Sequence, residues 1–220
     1  MRKGAVCWLG ITLGFFNAAL TPTLTTSAAP SPATAAAQPE GHELIGTPAR
    51  PFSELLFIGS PLKLQDLRGK VVLIRWWSDA CPMCSGALPN LGRLYEQHKQ
   101  EGLVVIGVYH PKPAAPLSAA AVQTIAQAAE AHEAHFPIAT DADWTVLRRY
   151  WLDGGKRDFT SPTFLIDRQG IIRWVHPGGE LHPSTEPAHK ECDRMYGQLV
   201  STLTTLLREP APGKNPAPAP

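Results

Sequence analysis

Hydrophobic positions along this chain fall into three patterns, and each predicts a different element. Val71-Val72-Leu73-Ile74-Arg75-Trp76-Trp77 and Leu103-Val104-Val105-Ile106-Gly107-Val108-Tyr109 are almost unbroken β-branched and aromatic runs, as buried strands require. Between them Leu88, Leu91, Leu94 and Tyr95 recur at spacings of three and four, an apolar stripe on a helix running from Ser85 to a stop at Gly102. Strand, helix and strand in that order predict a parallel pair with a right-handed crossover.

The same reasoning extends to both sides. Phe52, Leu55, Leu56 and Phe57, then Leu62 and Leu64 after a Gly59-Ser60-Pro61 turn, predict an N-terminal β-hairpin. Residues 118–135, with Val122, Ile125 and Ala129 on one side, predict a helix over the sheet, and Phe136-Pro137-Ile138-Ala139 a short edge strand. Trp144, Leu147 and Trp151 line a brief helix. Pro162 then opens an apolar strand to Asp167, Arg168-Gln169-Gly170 turns, and Ile171 to Val175 returns as its partner. A final helix carries Cys192, Met195, Leu199, Leu203 and Leu206 along one face.

The N-terminus obeys another pattern. Arg2-Lys3 precedes an apolar run from Ala5 to Leu20, too short to span a bilayer comfortably, and small residues at Ser27-Ala28-Ala29 or Ala35-Ala36-Ala37 offer cleavage sites. Residues 1–29 are therefore expected to be a secretory signal, or an uncleaved anchor, followed by an Ala/Pro-rich linker over 30–44. Cys7 falls inside this signal, without the lipobox that lipid attachment needs. The folded domain is expected over 45–208 and a disordered Pro-rich tail over 209–220, since 22 prolines crowd into residues 22–61 and 210–220 with a smaller group at 111–116. A formal charge of +1 offers no basic surface, so nucleic acid is not an expected partner.

The candidate chemistry lies at the end of the first buried strand. Cys81-Pro82-Met83-Cys84 follows the turn-like Ser78-Asp79-Ala80 and enters a helix, where unpaired N–H groups and the helix dipole favour an anion such as a thiolate. Thiols in such settings ionise with pKa values of roughly 3.5–7.5. Cys81, at the helix entry, is the expected nucleophile and Cys84, one turn inside, the resolver, with no organic cofactor and no metal required. Pro82 suits the first helical position, and Met83 is an apolar contact for the partner. A structural bridge and half of a zinc site are the competing readings of the pair; zinc needs four ligands, and no second pair follows with clean spacing.

These motifs carry a resemblance. Cys-Pro-x-Cys after a hydrophobic strand, the approach Leu67-Arg68-Gly69-Lys70, and Ser161-Pro162-Thr163-Phe164-Leu165-Ile166-Asp167 together resemble the thioredoxin superfamily, and more narrowly its exported TlpA-type thiol–disulfide oxidoreductases, over residues 45–208. The resemblance implies an α/β fold: a central mixed sheet of four or five strands flanked by helices, with an N-terminal β-hairpin and a central helical insertion. It implies a cis Pro162 beside the cysteine pair and a Ser161 whose backbone binds the partner chain. It also implies a periplasmic or other extracytoplasmic enzyme, acting as a reductant on protein disulfides and recharged by a membrane or periplasmic thiol donor. Trp77 is the core aromatic expected to touch the site.

The chain departs from the family pattern at three positions. Ala80 stands where a Trp often precedes the first cysteine, Arg75 where thioredoxin has a buried acid, and Ala87 where some relatives have a glutamate. The proton acceptor for Cys84 is then sought in Asp79, expected at the surface, in His110, or in water. A strand-end histidine is usually solvated, and that is the expectation for His110. Cys192 has three functional options: a third redox thiol, an intermolecular bridge, or a metal ligand with His182 and His189. Its place on the apolar stripe favours simple burial. His176, His182 and His189 are read as loop residues. Two other functions compete: a copper(I) chaperone using Cys81, Cys84, a histidine and Met83, and, less favoured because the peroxidatic motif is absent, a peroxidase.

Overall fold

The computed structural model describes residues 39–211 apart from Asp158. The expected signal, Cys7, most of the 30–44 linker and most of the 209–220 tail lie outside the described residues. None of the described helices is long and apolar enough to cross a membrane.

Six strands form one mixed sheet: β1 (Leu56–Ile58), β2 (Val71–Trp77), β3 (Leu103–Tyr109), β4 (Ile138–Thr140), β5 (Thr163–Ile166) and β6 (Ile172–His176), in the spatial order β1-β4-β3-β2-β5-β6. β2 and β3 run parallel in full register from Val71 opposite Leu103 to Trp77 opposite Tyr109. β4 adds in parallel to β3, and β5 joins β2 antiparallel with Arg75 opposite Thr163. Every residue of β2 is buried, which is why its sequence shows no alternation.

Helices cover both faces. The side of β2 that carries Leu73 and Trp77 packs with α1 (Pro82–Ser85), α2 (Leu88–His98), α3 (Ala119–Ala131) and α5 (Lys190–Arg208) through Leu88, Leu91, Ile125, Leu199 and Leu203. The opposite side, carrying Ile74 and Trp76, packs with Phe52 and Leu55 and with α4 (Thr145–Tyr150) through Val146, Leu147 and Tyr150. Buried Asp141 holds the start of α4 by accepting from the N–H groups of Val146 and Leu147, and it also accepts from the Trp76 indole. Arg168, in the β5–β6 turn, donates to the carbonyls of Gly69 and Leu207 and so ties the end of α5 to the approach to β2.

Four expectations need correction. Among the described residues the expected N-terminal hairpin is absent: Leu56–Ile58 pairs with β4, and Leu64–Leu67 is a 3-10 turn whose leucines pack on the second core. β4 is consequently interior to the sheet, because β1 covers the edge it was expected to present. With β1 attached, the strand count is six. The helix expected from Ser85 is broken into α1 and α2 at Gly86–Ala87. Pro89 explains the break, since it has no N–H to give the carbonyl of Ser85 and its ring crowds the preceding turn. The final β5–β6 hairpin and the helix over 119–131 are as expected.

Candidate active site

Cys81 and Cys84 are joined, with their Cα atoms 5.2 Å apart, at the point where β2 gives way to α1. Cys81 is half-buried and Cys84 only 3 % exposed, so of the two sulfurs the first is the one a partner can reach. Pro82 occupies the first helical position. The pair lies on a cleft of about 300 Å³ lined also by Met83, Lys112, Trp144, Phe159, Thr160, Ser161 and Gly179. Met83, 49 % exposed, and Phe159, 42 % exposed, give it an apolar rim.

Loops bring the far wall into place. The Trp151 indole donates to the carbonyl of Phe159, and the Arg157 guanidinium stacks over the Trp151 ring at 4.2 Å, which fixes the segment delivering Phe159, Thr160 and Ser161. After β6 the chain turns through Gly178 and Gly179, both at positive φ. A Cβ at Gly178 would lie 2.5 Å from that of Phe159, so only glycine lets the two segments touch. Gly179 N–H donates to Ser161 Oγ. Among the described residues, neither backbone group of Ser161 takes part in a backbone hydrogen bond outside the strands, although the residue is only 1 % exposed.

Beneath the pair lies Arg75, fully buried on the cysteine side of β2. It donates to Gly179 O at 2.6 Å, Thr163 Oγ1 at 3.0 Å and Cys84 O at 3.4 Å. The Cys84 carbonyl is available because the break before Pro89 leaves it without a helical donor. Burial pushes the guanidinium down to about 9, still protonated at neutral pH. Sequence marked Arg75 as a departure from the family acid; its carbonyl partners, one of them in a loop more than a hundred residues away, had no signal.

The proposed proton carriers sit differently from expectation. Asp79 is exposed as expected, but its Oδ1 accepts from the Tyr109 hydroxyl and the Ala80 N–H, and it does not line the cleft. Burial and the Asp79 contact push the tyrosine up to about 12, so it stays a donor. His110 is not solvated: it is 0 % exposed, covered by Trp144 at 5.4 Å between ring centroids. Its Nδ1 faces the Trp77 carbonyl at 2.9 Å and must carry the hydrogen, which leaves Nε2 to accept from Thr160 Oγ1 at 3.1 Å. Burial and the nearby Lys112 charge press it down to about 3, so it is neutral near pH 7 and a feeble base. Lys112, which sequence reasoning passed over as one residue of a Pro-rich loop, is the one titratable group besides the cysteines among the described lining residues. Its ammonium is lowered by burial.

Other site expectations meet the structure as follows. Trp77 is buried in the same cluster as Cys81 and Cys84, below the cleft and not on its wall. The cis peptide bond among the described residues is Lys112–Pro113, and Ser161–Pro162 is not cis. Trans is the lower-energy isomer, and with it the Pro162 carbonyl still accepts from Trp76 N–H at 3.1 Å. Cys192 is not buried; it is half-exposed on the first turn of α5, where the apolar stripe has not yet met the sheet. His176 is buried and stacks on Trp174, whereas His182 and His189 are half-exposed.

The chain is similar to known proteins. Protein DipZ of Mycobacterium bovis is 31% identical over 162 residues, 72% of this chain and 21% of DipZ, so the chain spans about a fifth of that relative's length. The thiol:disulfide interchange protein DsbE of Pseudomonas aeruginosa is 36% identical over 133 residues, 59% of this chain and 64% of DsbE. A crystal structure from Chlorobium tepidum described as a DsbE superposes with a TM-score of 0.55 at 25% identity, covering 74% of this chain and 97% of that one. The AhpC/TSA family model matches residues 45–175, from the segment before β1 through most of β6 and including both cysteines. That match takes in more than half of the chain, and with the thioredoxin-like sheet around the cysteine pair it shows that this protein belongs to the AhpC/TSA family.

Proposed function

We propose that this protein is a thiol–disulfide oxidoreductase that reduces disulfides of other proteins through Cys81 and Cys84. The observation that carries the reading is the inequality of the two sulfurs: one reachable and one shielded, closed on each other at the foot of an apolar-rimmed cleft. In the reduced state the Cys81 thiolate attacks a partner disulfide, forming a mixed disulfide and expelling the first partner thiolate, which takes a proton from solvent. Cys84, losing its proton to water, then attacks Cys81, breaks the mixed disulfide and releases the second partner thiolate. Two electrons pass to the partner, and the internal disulfide that results is reopened by a thiol donor. The partner chain settles against the cleft wall that Ser161 lines, and Met83 and Phe159, exposed at its rim, bury the partner's apolar side chains.

The names of the relatives DsbE and ResA, both described as thiol–disulfide proteins, support the same chemistry. The charged and apolar N-terminal pattern supports action outside the cytoplasm, with a cleaved signal or a membrane tether and a membrane or periplasmic donor. Among the described residues no histidine lines the cleft, which counts against copper(I) held by the pair and an imidazole. Peroxide reduction is the weakest reading, because no lone cysteine stands in a peroxidatic motif.

The test mixes reduced protein with insulin, with copper(I) and with peroxide. Insulin reduction by the wild-type protein is expected, falling to background in Cys81→Ser, while Cys84→Ser accumulates a mixed disulfide that gel shift detects. Tight copper(I) binding without exchange, or exchange that persists in Cys81→Ser, overturns the proposal.

A further inference from the structure

We propose that Glu180, His182, His189 and Cys192 form a zinc site, separate from the dithiol, that clamps the loop after β6 to the start of α5. Their donor atoms all lie within 4.8 Å of one another. Glu180 Oε2 is the hub: 3.0 Å from His189 Nδ1, 3.6 Å from His182 Nε2 and 3.6 Å from Cys192 Sγ, with Sγ 4.0 Å from His189 Nδ1. Metal–ligand bonds of about 2.0–2.3 Å in a tetrahedron give ligand–ligand edges of about 3.3–3.8 Å. These four separations, 3.0–4.0 Å, bracket that range, and with every donor within 4.8 Å of the others an ion enters with side-chain shifts of up to about an ångström.

Chain geometry explains the convergence. His189 and Cys192 are three apart across the start of α5 and share one face. Glu180 and His182 arrive from the loop, and the two imidazole rings sit 5.0 Å apart.

A second observation points to a cation. His182 Nδ1 is 3.0 Å from the Pro183 carbonyl; a carbonyl only accepts, so Nδ1 carries the hydrogen and Nε2 presents a lone pair to the Glu180 carboxylate. A lone pair and a carboxylate facing each other need a positive charge between them. A proton could meet that need alone, but it gives no role to a second imidazole and a thiol aimed at the same point. Anchoring the far ring nitrogen on a backbone carbonyl is also how metal-bound histidines are held. One sulfur, two nitrogens and one carboxylate oxygen suit zinc, a borderline-soft ion indifferent to their mixture. The site also accounts for Cys192, a free thiol that the disulfide cycle leaves unused.

The site adjoins the dithiol cleft without belonging to it. Glu180 follows Gly179, whose carbonyl Arg75 holds, and a groove of about 480 Å³ runs from Met83 and Phe159 to Glu180 and Cys192.

The experiment uses the full chain with Cys81→Ser and Cys84→Ser, so that the dithiol cannot bind metal. Zn²⁺ alone is titrated in competition with a chromophoric chelator, and Co²⁺ is used as a spectroscopic probe. One equivalent of Zn²⁺ per chain is expected, with affinity weakened at least ~10-fold by Cys192→Ser or by His189→Gln. Co²⁺ should show tetrahedral bands and a sulfur-to-metal charge-transfer band that disappears in Cys192→Ser. Absence of the charge-transfer band in the parent protein, or Zn²⁺ affinity unchanged by both substitutions, overturns the proposal. The Co²⁺ spectrum of the parent decides the matter even where a variant folds poorly.

Discussion

Arg75 brings a positive charge into the layer occupied by Cys84, and its hydrogen bonds go to a hydroxyl and two carbonyls, none of them a carboxylate. An uncompensated charge at this position favours thiolate over thiol, and so stabilises the reduced pair and raises its potential. Replacing Arg75 by Met is therefore expected to make the protein more reducing by about 30 mV, equivalent to about 1.4 kcal/mol. An unchanged potential in glutathione buffers would show that the charge does not reach the sulfurs. The same variant should lose about 1–3 kcal/mol of stability for each buried acceptor left unsatisfied, read from urea midpoints. The residue-scale chemistry was only partly legible beforehand. Cys81 and Cys84 announce themselves by spacing, and Arg75 by standing where relatives have an acid. His110 was misjudged because strand ends are usually wet; here Trp144 and Thr160, distant in sequence, close over it. Cys192 was misjudged because helical periodicity says which face a residue takes but not whether the helix has yet reached the sheet.

At the scale of elements, the cleft depends on two interruptions. Pro89 splits the first helix, which leaves α1 a single turn and hands the Cys84 carbonyl to Arg75. A one-turn helix has little macrodipole, so the Arg75 charge is the other positive field beside the pair, the one that the potential measurement tests. The second interruption is Gly178-Gly179, which brings the chain against Phe159 and Ser161. Gly178→Ala forces a Cβ to 2.5 Å from Phe159 and 3.0 Å from Ser161 Oγ at a φ of +138, so the rim must shift. Its expected signature is a KM for insulin raised more than kcat is lowered, with a stability loss of about 1–3 kcal/mol. Gly46→Ala is the control, since Gly46 also has positive φ but nothing lies within 4 Å of its added Cβ. Equal effects of the two substitutions on KM would remove the steric explanation. Periodicity found the long strands and helices because each is defined by its own residues. It missed the pairing of β1 with β4 because a three-residue edge strand is stabilised by its partner Ile138–Thr140, some eighty positions away, and not by its own pattern.

Across the whole molecule, two buried histidines govern how the fold responds to acid. His110 follows β3 and His176 ends β6, and burial presses each down to about 3 from an ordinary value near 6.5. In the unfolded chain both titrate near 6.5, so below that pH the unfolded state binds protons that the native state refuses. Stability is therefore unaffected by these groups above about pH 7 and falls as pH drops from about 6.5 toward 3. Each contributes a slope of about 1.4 kcal/mol per pH unit, so together they remove about 4 kcal/mol by pH 5. Against a domain stability of about 5–15 kcal/mol, that is enough to decide whether the protein stays folded in a mildly acidic compartment. The check is a series of urea titrations of the oxidised protein between pH 7.5 and 4.5. His176→Phe keeps an aromatic ring against Trp174, stacked at 6.0 Å in the native pair, and removes one titration. It should halve the slope while leaving stability at pH 7.5 close to that of the native chain or higher, because the His176 Nδ1 has no hydrogen-bond partner to lose. An acid slope that His176→Phe leaves unchanged would mean that this histidine takes up its proton within the folded state. The fold would then have to open around β6 at mild pH, next to the loop that walls the dithiol.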